Sequence, residues 1–538
     1  MPLSAISGRL NLWWGCLTVA PEKPLQPEYW ELSVLNQNTS SPDHIAAIDL
    51  GSNSFHMIIA RQHEDGSISI VDKLREPVRL AAGLVGDGII TEEVYKKALE
   101  CLERFGQRIR GWEPQSIRAV GTNALRRAAN TSDFLLAAEN ALGHSIEIIS
   151  GREEARLVYL GVVKTLDSNQ DDRLVVDIGG SSTEIIRGEG IAPSQLESIQ
   201  LGCVTATCRY FPDGKITAKA FRSAELMAIS EVQSIRYAYK KANWNAVMGA
   251  AGTIKAADSA IRALGLSKKG ITASALESLA ETIIKAEHLE KLKLPSVNSD
   301  RISVFPGGIA VLSAIFKTFK IENMQVAEGG LREGVLFDLL GRIRHEDVRS
   351  NNVLTMANRY NVNLDRAENI YSTAGGLLKQ LNETKALKKG QAWDILKWAS
   401  QLIEAGLAIA HTQYHVHSTY IVENSDLFGF SRDEQKWLSI LVRLHRKKIN
   451  NDLLKEIPST KRHFYRQLLF VLRLGVLLNR SHLDDGLPKF KFGMDDKEIN
   501  FTCPGDWLNQ QPLIKTDLEK EASYLKSIGY QLNLHTAE

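Results

Sequence analysis

Cysteine is scarce in this 538-residue chain. The five present, Cys16, Cys101, Cys203, Cys208 and Cys503, are odd in number and scattered. That excludes a disulfide-stapled scaffold and points to a reducing compartment. No CxxC occurs, and Cys203 and Cys208 lack the Cys or His neighbours of a zinc site, so they read as small buried apolar side chains. Any run of about 18 uncharged apolar residues is missing too, which excludes a membrane-spanning helix. A charge excess is the third absence: 65 Lys plus Arg against 63 Asp plus Glu leave +2. Attraction for a polyanion must therefore come from where the charges sit.

What is present is the composition of an ordinary globular protein, 44% hydrophobic and 24% charged, long enough for three or four domains. Five of the fifteen prolines (Pro2, Pro21, Pro24, Pro27, Pro42) fall in residues 1–43. Leu10 to Ala20 makes a poor signal-peptide core, because Asn11 and the Trp13–Trp14 pair interrupt it. Residues 1–43 are expected to be a disordered leader or the product of a misassigned start.

From His44 the pattern alternates between strands and helices. Apolar runs at His44–Leu50, Ser54–Arg61 and Ser67–Lys73 precede a helical period over Glu92–Arg110. Strands at Ile117–Val120 and Ile146–Ile149 follow, each before a helical stretch, which indicates an α/β fold. The most informative feature is an internal echo. Ile48-Asp49-Leu50-Gly51-Ser52-Asn53-Ser54 recurs 128 residues later as Val176-Asp177-Ile178-Gly179-Gly180-Ser181-Ser182. Each copy is a strand ending in Asp, a Gly/Ser turn and a second strand, so two related lobes with matched hairpins are expected.

Such turns suit phosphate. Glycine admits close approach, successive N–H groups form an anion nest, and Asn53, Ser54 and Ser182 add donors without bulk. Asp49 and Asp177 would repel phosphate directly, and are read as ligands of Mg²⁺ or its waters. An ordinary hairpin is the alternative for either copy alone. Two further Gly-rich pieces, Val247–Thr253 with Gly252 and Thr253, and Ala327–Gly334, end strands and begin helices. They either line the same cleft with helix N-termini or merely allow close helix–strand packing.

These strings resemble the exopolyphosphatase/guanosine pentaphosphate phosphatase family. The resemblance rests on Asp49-Leu-Gly-Ser-Asn-Ser-Phe-His56, Gly121-Thr-Asn-Ala-Leu-Arg126, Ile149-Ser-Gly-Arg-Glu-Glu-Ala-Arg156, Asp177-Ile-Gly-Gly-Ser-Ser-Thr-Glu184 and Gly249-Ala-Ala-Gly-Thr253. It runs from about residue 44 to the C-terminus. It implies a two-lobed actin-like, sugar-kinase-like ATPase fold, with lobes at 44–157 and 158–344. A helical HD-like domain (345–492) and a small C-terminal domain (493–538) would follow. It also implies Glu154 as the general base, Arg126 as a phosphate clamp, Asp177 and Glu184 at Mg²⁺, and Asn53, Gly179 and Ser182 at phosphate oxygens. Adjacent positions on a helix point about 100° apart, so only one of Glu153 and Glu154 should face the cleft. Ser181 departs from the glycine expected there, and altered turn geometry should follow.

In the helical half, His411, His415 and His417 invite a metal reading, but no His-Asp pair accompanies them, and they are taken as loop histidines. Between Arg432 and Lys489 stand thirteen Lys or Arg against six acids, a local net of +7. Arg443, Arg446, Lys447, Lys448, Lys461 and Arg462 are the candidate track for polyphosphate, with a solvated helical face as the plain alternative.

The resulting expectation is an Mg²⁺-dependent exopolyphosphatase releasing orthophosphate from inorganic polyphosphate. Guanosine pentaphosphate 5′-phosphohydrolase at the same site is the second reading, and a non-catalytic actin-like nucleotide-binding protein the third. Family resemblance adds a homodimer. No nucleic-acid partner is expected, and the location is cytoplasmic, with attachment to the inner membrane face left open.

Overall fold

The structure is a computed structural model. It describes residues 43–537 except 64–67, 86–87, 167–171, 241–243, 295, 345–346, 382–389 and 481–486. The expected leader falls outside the described residues, save Asp43.

A first sheet has the order β3-β2-β1-β4-β5. Its strands are β1 (His44–Leu50), β2 (Phe55–Gln62), β3 (Ile68–Glu76), β4 (Ile117–Gly121) and β5 (Ile146–Ile148). The central strand β1 is apolar along nearly its whole length and buried on both faces, as a sheet covered on both sides requires. The edge strand β3 is largely half-buried or exposed. A second sheet repeats the plan as β8-β7-β6-β9-β11-β10. It comprises β6 (Asp172–Ile178), β7 (Thr183–Glu189), β8 (Ala192–Ile199), β9 (Ala246–Ala250), β10 (Ile271–Thr272) and β11 (Asn323–Val326). Both echo segments are antiparallel hairpins, as expected. Their registers coincide: Asp49 pairs with His56 across β1–β2, and Asp177 pairs with Glu184 across β6–β7.

The helices that bear on the site are α1 (Asn123–Arg127), α2 (Gly151–Lys164), α3 (Ala251–Ala263), α4 (Leu331–Ile343), α5 (Tyr414–Asn424), α6 (Arg432–Leu444) and α7 (Asn451–Lys455). The expected lobe boundary at 157/158 lies inside α2, and consecutive residues of this helix serve different cores. Leu157 packs with Ile45, Ala47 and Leu336 against the first sheet, while Val158 and Val162 pack with Val175 and Ile186 of the second. Helix α4 follows the second sheet in sequence yet lies on β1 with Val335, Leu336 and Leu339. Where α2 and α4 cross, glycine is obligatory: a Cβ on Gly161 would stand 2.0 Å from the Gly330 carbonyl oxygen, and one on Gly334 would stand 1.8 Å from that of Leu157.

Among the described residues from Val348 to Leu478 the regular elements are all helical. The expected C-terminal domain contributes a three-stranded sheet, β12 (Lys491–Asp495), β13 (Glu498–Pro504) and β14 (Gln531–Ala537). Phe492, Ile499 and Phe501 of this sheet share one core with Leu468, Leu472 and Val476 of the preceding helices. Among the described residues no helix is long and apolar enough to cross a membrane.

Candidate active site between the two hairpin turns

The two echo turns touch: Ser52 Oγ and Ser181 Oγ lie 2.7 Å apart. Ser181, the position that departs from glycine, thus supplies the link between the lobes. Within the second turn the Gly179 N–H donates to the Ser182 carbonyl at 3.0 Å, and the Gly179 and Gly180 carbonyls accept from the N–H groups of Cys203 and Val204. Asn53 is half-buried, and its carbonyl accepts from the Arg79 N–H at 2.8 Å. Ser54 is buried, with its hydroxyl 3.5 Å from Arg75.

Helix α2 presents the candidate base. Ser150 caps the helix, its hydroxyl accepting from the Glu153 N–H at 3.1 Å, which fixes the first turn. The adjacent glutamates then diverge. Glu154, 7% exposed, accepts from Arg126 Nη1 at 2.9 Å, and the same nitrogen donates to the Ile149 carbonyl at 2.9 Å. Arg126 Nη2 is buried without a partner. Glu153 turns the other way, into a buried ionic network. It accepts from both Arg156 nitrogens at 2.8 Å and from the Gly429 N–H at 3.0 Å. Arg118, Glu147, Asp338 and Arg342 complete this network. Only Glu154 of the pair reaches the cleft side, as the helical geometry required.

Four buried carboxylates gather here, and each suffers from burial. Asp49 is pushed up to about 8, by burial first and then by Glu154, with Arg332 opposing. Asp177 is raised to about 7 by burial and Glu154. Glu184 is held well above its ordinary value by burial, Glu154 and Asp177, although its Oε1 accepts from Ser198 at 2.8 Å. Glu154 itself is raised by burial, against the pull of Arg126. Desolvation is thus the main cause of its basicity.

This donor set suits a hard divalent cation. Carboxylate oxygens crowd together at an energetic cost that positive charge would remove, and Asp49 Oδ1 is buried and unpartnered. Among the described residues no three or more His, Cys, Asp or Glu are placed to hold a metal ion on their own. A cation that keeps most of its waters, as Mg²⁺ does, is the kind these carboxylates would suit.

Cations frame the carboxylates, and sequence reading had missed most of them. Arg332 Nη1 lies 3.2 Å from His56 Nδ1, and its charge lowers the Asp49 pKa. Lys255 Nζ donates to the Glu328 carbonyl at 2.8 Å and feels Asp177. Arg301 also acts on Asp177. Arg432, the first residue of α6, has its pKa lowered by partial burial and then by Arg126, which marks the helical domain as a neighbour of the cleft. Apart from Arg332, which stands in the Gly-rich Ala327–Gly334 string, no motif flagged these residues. Only the fold gathers them.

The α3 start differs from expectation in part. Ala251 adopts φ 61°, a left-handed conformation rare for a residue with a Cβ. Thr253 is buried, with its hydroxyl beside Gly308 and without a hydrogen-bond partner. Gly252 has a different role: a Cβ there would sit 1.8 Å from Arg301 Nη2. Gly252→Ala is expected to displace the flexible Arg301 end, raising KM roughly threefold to tenfold with little change in melting temperature. Steady-state kinetics with an unchanged KM would dissociate Arg301 from substrate binding.

In the helical domain the track candidates divide. Arg462 is committed to backbone, donating to the carbonyls of Leu454, Lys455 and Ile457 around the end of α7 at 2.9–3.2 Å. Its charge remains, but these donors are engaged with backbone. Lys461 lies over the Trp437 ring at 4.3 Å. Arg443, Arg446, Lys447 and Lys448 have no carboxylate within 4 Å among the described residues. His415 and His417 are on helix α5, correcting their reading as loop histidines.

Two matched hairpins, each ending in a buried Asp, joined through serines and served by a capped glutamate, define a two-lobed, phosphate-handling enzyme of the actin-like class. The Ppx/GppA phosphatase family matches residues 58–343, and its domain III matches residues 348–522. The chain belongs to the Ppx/GppA phosphatase family. It is 36% identical over 500 residues to a guanosine-5′-triphosphate,3′-diphosphate pyrophosphatase of Vibrio cholerae, covering 93% of this chain and 99% of that one. It is 37% identical over 496 residues to the same-named protein of Vibrio atlanticus, covering 92% and 99%. In fold it is similar to an exopolyphosphatase from Cytophaga hutchinsonii, with a TM-score of 0.51, 21% identity, and coverage of 56% of this chain and 98% of that one.

Proposed function

We propose that this phosphatase hydrolyses the terminal phosphoanhydride bond of inorganic polyphosphate, releasing orthophosphate. The observation that carries the hydrolytic part is the Arg126–Glu154 pair beside the two turns. Glu154 takes the proton of a water whose oxygen attacks the terminal phosphorus. The bridging P–O bond breaks, and its electrons leave with the shortened chain. Burial raises Glu154 toward the pKa such a base needs, and Arg126 restrains the rise. Arg126 Nη2 and the N–H groups of the turns hold phosphoryl oxygens and support their charge as the bond breaks. Mg²⁺, held by one or two of Asp49, Asp177 and Glu184, would neutralise charge on the phosphate chain.

A long polyanion is favoured as substrate by the four helical-domain cations without acidic partners. Replacing Arg446, Lys447 and Lys448 together by glutamine is expected to weaken long chains about tenfold or more. Short chains should be affected less, and the salt dependence should flatten. Equal losses for both lengths would remove the track. The second reading, hydrolysis of guanosine pentaphosphate, is supported by the printed names of the Vibrio relatives. Orthophosphate release from long-chain polyphosphate and from guanosine pentaphosphate, each with and without Mg²⁺, decides between the two. Greater kcat/KM on the nucleotide would overturn the first.

A further inference from the structure

The lobes also meet at the rim of the cleft. Ser52 and Ser181 join them in its buried floor, whereas Arg79 Nη2 donates to Asp300 Oδ1 at 2.9 Å with the two side chains 52% and 49% exposed. Each partner is tied to a part of the site. Arg79 precedes the short helical turn Leu80–Gly83, and its N–H donates to the Asn53 carbonyl while that of Ala81 donates to the Ser52 carbonyl, both at 2.8 Å. Arg79 is left-handed, at φ 61°, a strained backbone for a residue with a Cβ, which these two hydrogen bonds to the first phosphate turn hold in place. Asp300 lies on the turn Ser299–Ile302, one residue before Arg301, whose guanidinium fills the space beside Gly252. The sign of Asp300 is out of keeping with its surroundings. It sets a carboxylate at the rim of a site that Arg301, Arg332 and Lys255 make attractive to anions, and an exposed ion pair contributes too little stability to account for it.

We propose that Arg79 binds a phosphoryl group of the substrate beyond the one hydrolysed, and that Asp300 occupies its guanidinium until that group displaces the carboxylate. A carboxylate and a phosphoryl group offer a guanidinium the same acceptor geometry, but the phosphoryl group brings more charge and a further oxygen. Because both side chains are half exposed, the exchange strands no buried charge, and Asp300 returns to water. Asp300 is then a selectivity element. Every anion that takes Arg79 must first displace the carboxylate, and one that fills only the two turns draws nothing from the arginine.

The choice of a phosphoryl ligand rests on the phosphoanhydride reading, but the test does not depend on turnover. The full chain with Mg²⁺ is titrated calorimetrically with a methylene-bridged triphosphonate, which has no P–O–P bond to hydrolyse. Arg79→Gln is expected to weaken binding about fivefold to tenfold, through loss of a charge-assisted pair. Asp300→Asn is expected to tighten it about twofold to fivefold, the worth of an exposed ion pair no longer competing. Circular dichroism verifies that both variants fold. Opposite signs separate an exchange from a strut: a pair that merely held the lobes together would lose the same contact from either side, and shifts in one direction overturn the proposal. In the Arg79→Gln background the gain from Asp300→Asn should shrink below about twofold, because the two residues are coupled. An undiminished gain would be a general field effect and overturns the exchange. Orthophosphate should bind Arg79→Gln as well as the parent, and a loss equal to that for the triphosphonate overturns the assignment to a further phosphoryl group. If the parent released no orthophosphate from any substrate while these affinities moved as expected, the catalytic reading would fail and the exchange would stand.

Discussion

Glu154→Gln is expected to lower orthophosphate release by about 10²–10⁴-fold, the usual contribution of a positioned general base. Glutamine keeps the shape and can still contact Arg126, so the loss isolates the proton-accepting function. The substitution also removes the carboxylate that raises the pKa values of Asp49, Asp177 and Glu184. Thermal stability should therefore hold or rise. A variant that stays folded, binds substrate and loses turnover identifies the base; turnover within tenfold of the parent would transfer that role to another group. The neighbouring Glu153→Gln serves as the contrast. Its carboxylate belongs to the buried network, so its loss should reach the fold before the chemistry.

That network yields the second large effect. Asp338 accepts from Arg118 at 2.6 Å, from Arg342 at 3.0 Å and from Arg156; Asp338, Arg118 and Arg156 are buried and Arg342 half-buried. Breaking one partner of such a cluster leaves uncompensated buried charge, so Asp338→Asn is expected to cost about 3–5 kcal/mol in chemical denaturation at pH 7. Burial alone would raise the Asp338 pKa, but Arg156, Arg118 and Arg342 outweigh it and hold the carboxyl well below the usual range. A depressed folded-state pKa contributes stability above the unfolded value and loses it as pH falls through the folded one. The parent should therefore lose stability progressively below about pH 4, where an unfolded Asp takes up its proton, and Asp338→Asn should lose less over that range. Parallel curves for the two proteins would show that Asp338 is not the group responsible.

The lobes and their turns were legible because the signal is local and duplicated. Strand-Asp-Gly/Ser-strand is written twice within a few residues, and the offset of 128 carried over to the paired positions Asp49–His56 and Asp177–Glu184. The opposite facing of Glu153 and Glu154 was also readable, since helical geometry alone separates neighbours. What stayed hidden depends on distant pairings. Arg301 meets Gly252, Glu184 meets Ser198, and Arg118 meets Asp338 across 220 residues. A cation with no motif around it reads as surface. Arg462 shows a related limit: a charge count cannot see that a guanidinium donates to three carbonyls at the end of α7.

The crossing of α2 and α4 has a mechanical consequence. Gly161, Gly329 and Gly334 let two backbones meet with no side chain between them, at the place where the cores of both sheets are nearest in the chain. Rotation of one lobe against the other meets least side-chain resistance there, so the crossing is the axle on which the cleft would swing. Glu154 rides on the first turn of that same axle. Near a pivot, a wide swing at the rim moves an atom only slightly, so Glu154 would keep its aim in any such rotation.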